Sequence, residues 1–233
     1  MKKIYEDENI LIVFKPQGIE TASDTSKNTL EYTLNNSPFL KGGDTQTSER
    51  DTKMGFSKGA KIVACHRLDV NTEGLVIFAK NATTATEMRK GFESECVDKT
   101  YLALCFGQLR KSPLTLTGYL VKDARSGMVQ ISKAKTPNSK PVKTIVKFIK
   151  TVGDFSLIEI KPITGRTHQI RAHLASIGLS IVGDGKYGDF KLNKVYNAKK
   201  QLLCAVSITF KFPTTSPLNY LNPKQISAKP TFL

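Results

Sequence analysis

The sequence predicts an α+β protein built on a mixed, largely antiparallel β-sheet with flanking helices. Three observations point there. Short apolar, β-branched runs dominate the chain, only two or three stretches carry helical spacing, and neither a regular strand–helix alternation nor an internal repeat is visible. With 39% hydrophobic and 24% charged residues over 233 positions, there is apolar material for a sizeable core, and the composition is not that of a disordered protein.

The run from Asn9 to Phe14, NILIVF, stops at Lys15-Pro16, where the residue before proline is pushed to extended geometry, and reads as a buried strand leading into a loop. Residues 41–59 hold only Met54 and Phe56 as large apolar groups and read as an inserted flexible surface loop, because so little apolar surface cannot fold alone. Ile62 to Cys65 and Leu75 to Ala79 read as core strands flanking the polar loop HRLDVNTEG. Asn81 suits the N-cap of a helix over 82–94, with Ala85, Met88 and Phe92 on one face. The run 100–106 alternates loosely, and 144–150 and 155–160 flank the hairpin dipeptide Gly153-Asp154. Thr167 reads as the cap of a helix through Ile177, with Ile170, Leu174 and Ile177 on one face and Gly178 as its left-handed end. Residues 202–210 supply one or two more strands. From Phe190 to Leu233 there are seven lysines and no acid, and four prolines interrupt the second half, so this end reads as a basic, partly irregular stretch.

Charge narrows the class of partner. Thirty-five Lys and Arg against 20 Asp and Glu leave +15, which points to a polyanion. No run approaches the roughly 20 apolar residues of a membrane-spanning helix, and the N-terminus turns acidic and meets Pro16 without a cleavage pattern, so a cytoplasmic protein is expected. Cys65, Cys96, Cys105 and Cys204 form no C-x-x-C pair and read as buried small hydrophobes. His168 and His173, five apart, lie about 140° apart around a helix, so no metal site is expected there.

Three polar clusters interrupt the apolar framework: Lys15 to Gly18, His66 to Gly74, and Thr164 to His173. Each falls where a strand ends or a helix begins, the positions at which sites are built on rigid scaffolds. Asp69 reads either as a turn acid accepting backbone N–H bonds or as a carboxylate held ionised in a cleft by an arginine. Arg166 and Arg171 read either as helix-surface cations or as phosphate clamps, and Tyr101 as a core aromatic or a site ring. The glycines of GDGKYG fit no nucleotide-binding pattern and read as a turn.

Together these clusters resemble the RNA pseudouridine synthases, specifically the RluA-type branch that acts on ribosomal and transfer RNA. HRLDVNTEGLVIFAK at 66–80 resembles the signature around that family's catalytic aspartate, with Glu73 where the branch more often has Ser; KPQG at 15–18, KTYLALCFG at 99–107 and TGRTHQIRAHLASIGLSIVGDGKYG at 164–188 resemble the three other motifs, in order. The resemblance implies a fold with a central catalytic cleft and Asp69 as the essential carboxylate. It implies that Arg166 ion-pairs with Asp69, that Tyr101 lies against the target base, and that Arg67 helps displace that base. It also places His66, Lys15, Thr72, His168 and Arg171 at the RNA. No cofactor or metal is implied; the expected partner is RNA, with the chain acting as a monomer. Many members carry an additional N-terminal S4 domain, whereas here the first synthase-like strand begins near Ile4. One catalytic domain over 1–233 without S4 is therefore expected, with the 41–59 loop and the basic 190–233 stretch helping to bind RNA. Attack at C1′ and a glycal route both remain open. The competing readings are a non-catalytic RNA-binding scaffold in ribosome assembly and a metal-dependent nuclease, for which only Asp69 is a well-placed acid.

Overall fold

The structure is a computed structural model that describes residues 2–37, 61–123, 125 and 127–233; the loop expected at 41–59 lies outside the described residues. The chain divides into two compact units, Met1–Val97 with Thr209–Ala228 and Asp98–Ile208 with Lys229–Leu233.

In the first unit, β1 (Lys2–Glu6), β2 (Ile10–Lys15) and β4 (Glu73–Ala79) pair antiparallel in that order, and the short β3 (Val63–Ala64) also pairs with β4. Both β2 and β4 are continuous apolar runs because they are covered on both faces: Ile10 to Val13 and Leu75 to Ala79 are all at most 2% exposed. Helix α1 (Leu30–Asn36), which the sequence did not signal, starts at Thr29, whose hydroxyl accepts the Tyr32 N–H. Its Glu31 accepts the Ala64 N–H and its Asn35 exchanges two hydrogen bonds with Ile62, so side chains tie it to β3. The expected strand at Ile62 to Cys65 thereby shrinks to two residues. Helix α2 (Ala82–Glu93) begins as expected, with the Asn81 side chain accepting from the Thr84 N–H and Ala85 and Met88 buried. Lys80, the last residue of the HRLD stretch, ion-pairs with Glu6 at 3.0 Å and donates to the Asp7 carbonyl, closing the β1–β2 turn.

In the second unit the strand order is β10 (Leu203–Phe210), β5 (Val97–Cys105), β9 (Phe155–Pro162), β8 (Lys140–Val152), β6 (Leu114–Lys122), β7 (Val129–Ser132). The hairpin at Gly153-Asp154 is present, with Gly153 at φ +56°. Strand β8 starts four residues before the expected one and takes in Pro141. It does so beyond the last β9 pair, Thr144 with Pro162, where a proline has a strand neighbour on one side only. Helix α3 (Gln169–Ser176) packs on β7, β8 and β9, its Ala172 meeting Leu120, Val129 and Val142, and the register puts Tyr101 on this same sheet face, level with Ile160 and Val146. The Gly178 end is left-handed, at φ +77°. Thr167 is not the cap expected of it: His168 occupies that position at φ +54° with no side-chain cap, and the preceding loop is held by other bonds. The basic end contains the strand expected at 202–210, as β10, and is more regular than expected in also containing α4 (Phe190–Val195) and β11 (Gln225–Ser227). Three of the four cysteines are buried; Cys96 is half-buried, within reach of Ser94.

Candidate active site

In the first unit, the segment 66–72 bears Asp69 at its turn, and the neighbours of Asp69 on both sides are fixed. The Thr21 hydroxyl donates to the Leu68 carbonyl at 3.3 Å and accepts the Leu68 N–H at 3.1 Å. The Val70 carbonyl accepts both the Gly18 N–H, 2.9 Å, and the Lys15 ammonium, 3.1 Å. Thr72 N–H closes the turn onto the Asp69 carbonyl at 3.0 Å. The KPQG and HRLD stretches are thus one construction: Pro16 ends β2, Gly18 turns at φ +88°, and both ends of that loop reach the Asp69 turn.

Lys15 is fully buried and donates to the carbonyls of Pro16, Ile19 and Val70 at 2.9–3.1 Å. Burial pulls its pKa down to about 8, against the pull of the Asp69 and Glu73 carboxylates, which favour its charge. Glu73 and Thr72 are each 3% exposed, Asp69 is half-buried, and Arg67 is exposed. His66 accepts the Ile77 N–H at Nε2, 3.1 Å, and its ring lies 5.0 Å from that of Phe92, the α2 residue expected in the core. A cleft of about 520 Å³ opens beside His66 and Arg67, lined also by Glu20, Ser23, Asp24 and Thr25.

In the second unit, Tyr101 is 6% exposed, and Arg166 sits in an exposed segment of Gly165, Arg166 and Thr167. His168 shares a hydrogen bond with the Tyr187 hydroxyl, which also accepts the Val129 N–H at 2.8 Å. Arg171 forks onto Asp184 at 2.7 and 2.8 Å and lies over the Tyr187 ring. Burial raises the Asp184 carboxyl pKa, but the hydrogen bond and charge of Arg171, with the N–H groups of Tyr187 and Lys186, outweigh it and hold it below the ordinary value. GDGKYG is therefore a turn, as expected, but one organised around a buried carboxylate. Lys99 on β5 is also held low by burial, at about 8.

The structure brings Lys15, His66, Arg67, Asp69 and Thr72 together in one unit, and His168 and Arg171 around Tyr187 in the other. The expectation that Lys15, Thr72 and Arg171 touch RNA meets a physical obstacle: all three are buried, and the donors of Lys15 and the fork of Arg171 are engaged inside the protein. Sequence reasoning did not single out Thr21, Asp184, Tyr187 or Gln169. Asp184 and Arg171 are opposite charges inside one motif, a legible hint; nothing local marks Thr21. Among the described residues no group of three His, Cys, Asp or Glu stands close enough to hold a metal ion.

The chain was compared with known proteins. Residues 9–176 match the RNA pseudouridylate synthase family. A ribosomal large subunit pseudouridine synthase C of Rickettsia bellii is 32% identical over 192 residues, 81% of this chain and 57% of that protein. An uncharacterized RNA pseudouridine synthase of Mycoplasma genitalium is 36% identical over 214 residues, 90% of this chain and 63% of that protein. The chain thus spans about three-fifths of the length of these curated relatives. The structure of human RNA pseudouridylate synthase domain containing 1 shares the fold, with a TM-score of 0.75 at 24% identity, over 100% of this chain and 84% of that one. The α+β fold and the family implied by the four motifs are both met, and with 9–176 matched this chain belongs to the RNA pseudouridylate synthase family.

Proposed function

We propose that the protein is an RNA pseudouridine synthase that isomerises specific uridines of ribosomal or transfer RNA, with Asp69 as the catalytic carboxylate and the target base flipped out of its stack. The observation that carries this reading is the Asp69 turn, in which Leu68 and Val70 are each anchored by two hydrogen bonds and the buried Lys15 ammonium lies within the field of the Asp69 carboxylate.

The reaction needs little beyond such a group. The N1–C1′ bond of uridine breaks, the uracil turns, and C5 bonds to C1′; C5 loses its proton and N1 gains one, so no atom is gained or lost overall. Neither a redox cofactor nor a metal is called for. Asp69 either attacks C1′ or removes the C2′ proton to give a glycal. Tyr101 holds the freed uracil, and Arg166 supplies a cation where charge develops. Arg67, exposed two residues before Asp69, helps displace the target base from its stack, while Lys15, Thr72 and Arg171 support the loops from within. Flipping costs a few kcal/mol and is least costly in loops or bulges. The +15 charge binds phosphates without reading sequence, so RNA affinity should fall steeply between low and moderate salt. The enzyme acts as a monomer in the cytoplasm.

The test is tritium release from RNA labelled at uridine C5, taken from cells lacking this protein, with EDTA present. Release by wild type and not by Asp69→Ala is expected. Salt-sensitive RNA binding with no release from any fraction would favour the scaffold reading, and RNA cleavage abolished by EDTA would favour the nuclease.

A further inference from the structure

We propose that Gln169, Thr144 and His173 form a buried hydrogen-bond relay that fixes the loop carrying Arg166, which makes them positioning residues for the reaction; this rests on the reading of Arg166 given above. The relay starts at the loop. Gly165, Arg166 and Thr167 are all exposed, so apolar packing of their own side chains does not hold the segment. Polar bonds do. The Gln169 side chain is 2% exposed, and its Oε1 accepts the Arg166 N–H at 3.1 Å and the Thr164 hydroxyl at 2.8 Å. Its Nε2 donates to the Lys143 carbonyl at 3.1 Å and to the Thr144 hydroxyl oxygen at 3.0 Å. All four capacities of the amide are used, and its orientation is unambiguous, because a backbone N–H only donates and a carbonyl only accepts.

That assignment fixes the rest. The Thr144 hydroxyl, accepting from Gln169, has one proton to give, and His173 Nδ1 stands 2.8 Å away. His173 is 1% exposed, and burial lowers its pKa, which keeps the ring neutral. Among the described residues Nδ1 is the one acceptor within reach of that proton, so it is assigned the acceptor role and the ring proton is placed on Nε2. Among the described residues that Nε2 has no hydrogen-bond partner, although it is buried. A buried ring N–H without a protein partner adds nothing to stability, so the bond through which this histidine acts is the one at Nδ1. What it supplies is an acceptor on one side that aims the Thr144 hydroxyl, leaving the lone pair of Thr144 toward Gln169. The bonds all point one way, from the Arg166 N–H into Gln169, from Gln169 into Thr144 and from Thr144 into His173. The anchor is a fully buried residue of an interior strand, since Thr144 is 0% exposed on β8 and pairs with both β6 and β9.

Two experiments on the full chain test this. In wild-type protein, the ¹⁵N shifts of His173 should report the Nε2–H tautomer at neutral pH; the Nδ1–H tautomer or a charged ring would overturn the relay. In the tritium-release assay, Thr144→Val and Gln169→Leu should lower kcat by roughly tenfold to a hundredfold with KM within about twofold, and Thr144→Ser should restore the rate. If Thr144→Val does not fold, Gln169→Leu and the tautomer carry the test. Unchanged kcat in the folded variants, or a loss confined to thermal stability, would overturn the proposal while leaving the synthase reading standing. A wild-type enzyme that releases no tritium would instead remove the parent reading, and the role proposed for the relay with it.

Discussion

The Asp69 turn and the Arg166 loop are built from similar material, a polar segment leaving an apolar strand, yet they are anchored by opposite means. The Asp69 turn has a charge among its anchors: beside the Thr21 hydroxyl and the Gly18 N–H, the buried Lys15 ammonium grips three carbonyls, that of Val70 included, and lies within the field of Asp69 and Glu73. The Arg166 loop is held by neutral groups, the Gln169 amide and the hydroxyls of Thr164 and Thr144. The buried cation nearest in sequence to that loop, Arg171, is matched by its own carboxylate, Asp184. The difference has an electrostatic logic. A buried cation lies within the field of the carboxylate, whereas the groups that hold the arginine loop are neutral and bring no charge of their own.

Breaking the matched pair should have the largest effect on stability. Arg171→Ala leaves Asp184, 0% exposed, without its partner, and should cost about 3–5 kcal/mol, lowering Tm by roughly 10 °C in a chain of this size when followed by thermal denaturation. A change under about 2 °C would mean the pair is not a structural clamp. Tyr101→Phe should come next: it keeps the buried ring and the fold but should lower turnover on the order of tenfold, the scale of one lost hydrogen bond in a dry site, and an unchanged rate would make the hydroxyl dispensable.

The smallest effect sharpens the contrast most. Because folding lowers the Lys15 pKa from 10.5 to about 8, the unfolded chain binds more protons than the folded one between those values, and stability contributed by this site should rise with pH across that window. Urea midpoints of wild type relative to Lys15→Met should therefore climb from about pH 8 towards pH 10. Lys99, held low in both proteins, cancels from the difference. A flat difference would show that the Asp69 turn is not anchored by a desolvated charge.

Much of this framework was legible in the sequence because it follows from local chemistry. Asn81 caps its helix, Gly153-Asp154 turns its hairpin and Gly178 ends α3 in the left-handed region, each for reasons contained within a few residues. Other features depend on distant partners. Lys15, which the motif resemblance places at the RNA, is instead enclosed by carbonyls that include those of Ile19 and Val70, the second contributed from 55 positions away. His168 displaced Thr167 from the helix start because the Tyr187 hydroxyl and the Gln169 amide define the chain path there. Strands β6 and β7 and helix α4 went unmarked: β6 has Gly118 in its interior, and none of the α4 residues is fully buried, so neither shows a clean periodic face. The motif residues were legible as a set, but their division into groups that support the loops and groups left exposed required burial and bonding partners.

The central claim is that a charge at position 69 performs the chemistry, and Asp69→Asn addresses it most directly, since the shape is preserved and the charge removed. Single-turnover tritium release and RNA affinity should be measured on the same preparation. The account predicts RNA binding close to that of wild type and a rate reduced more than about a thousandfold. Residual turnover above that level with binding intact would contradict it, and the chemistry would then have to be assigned to another residue.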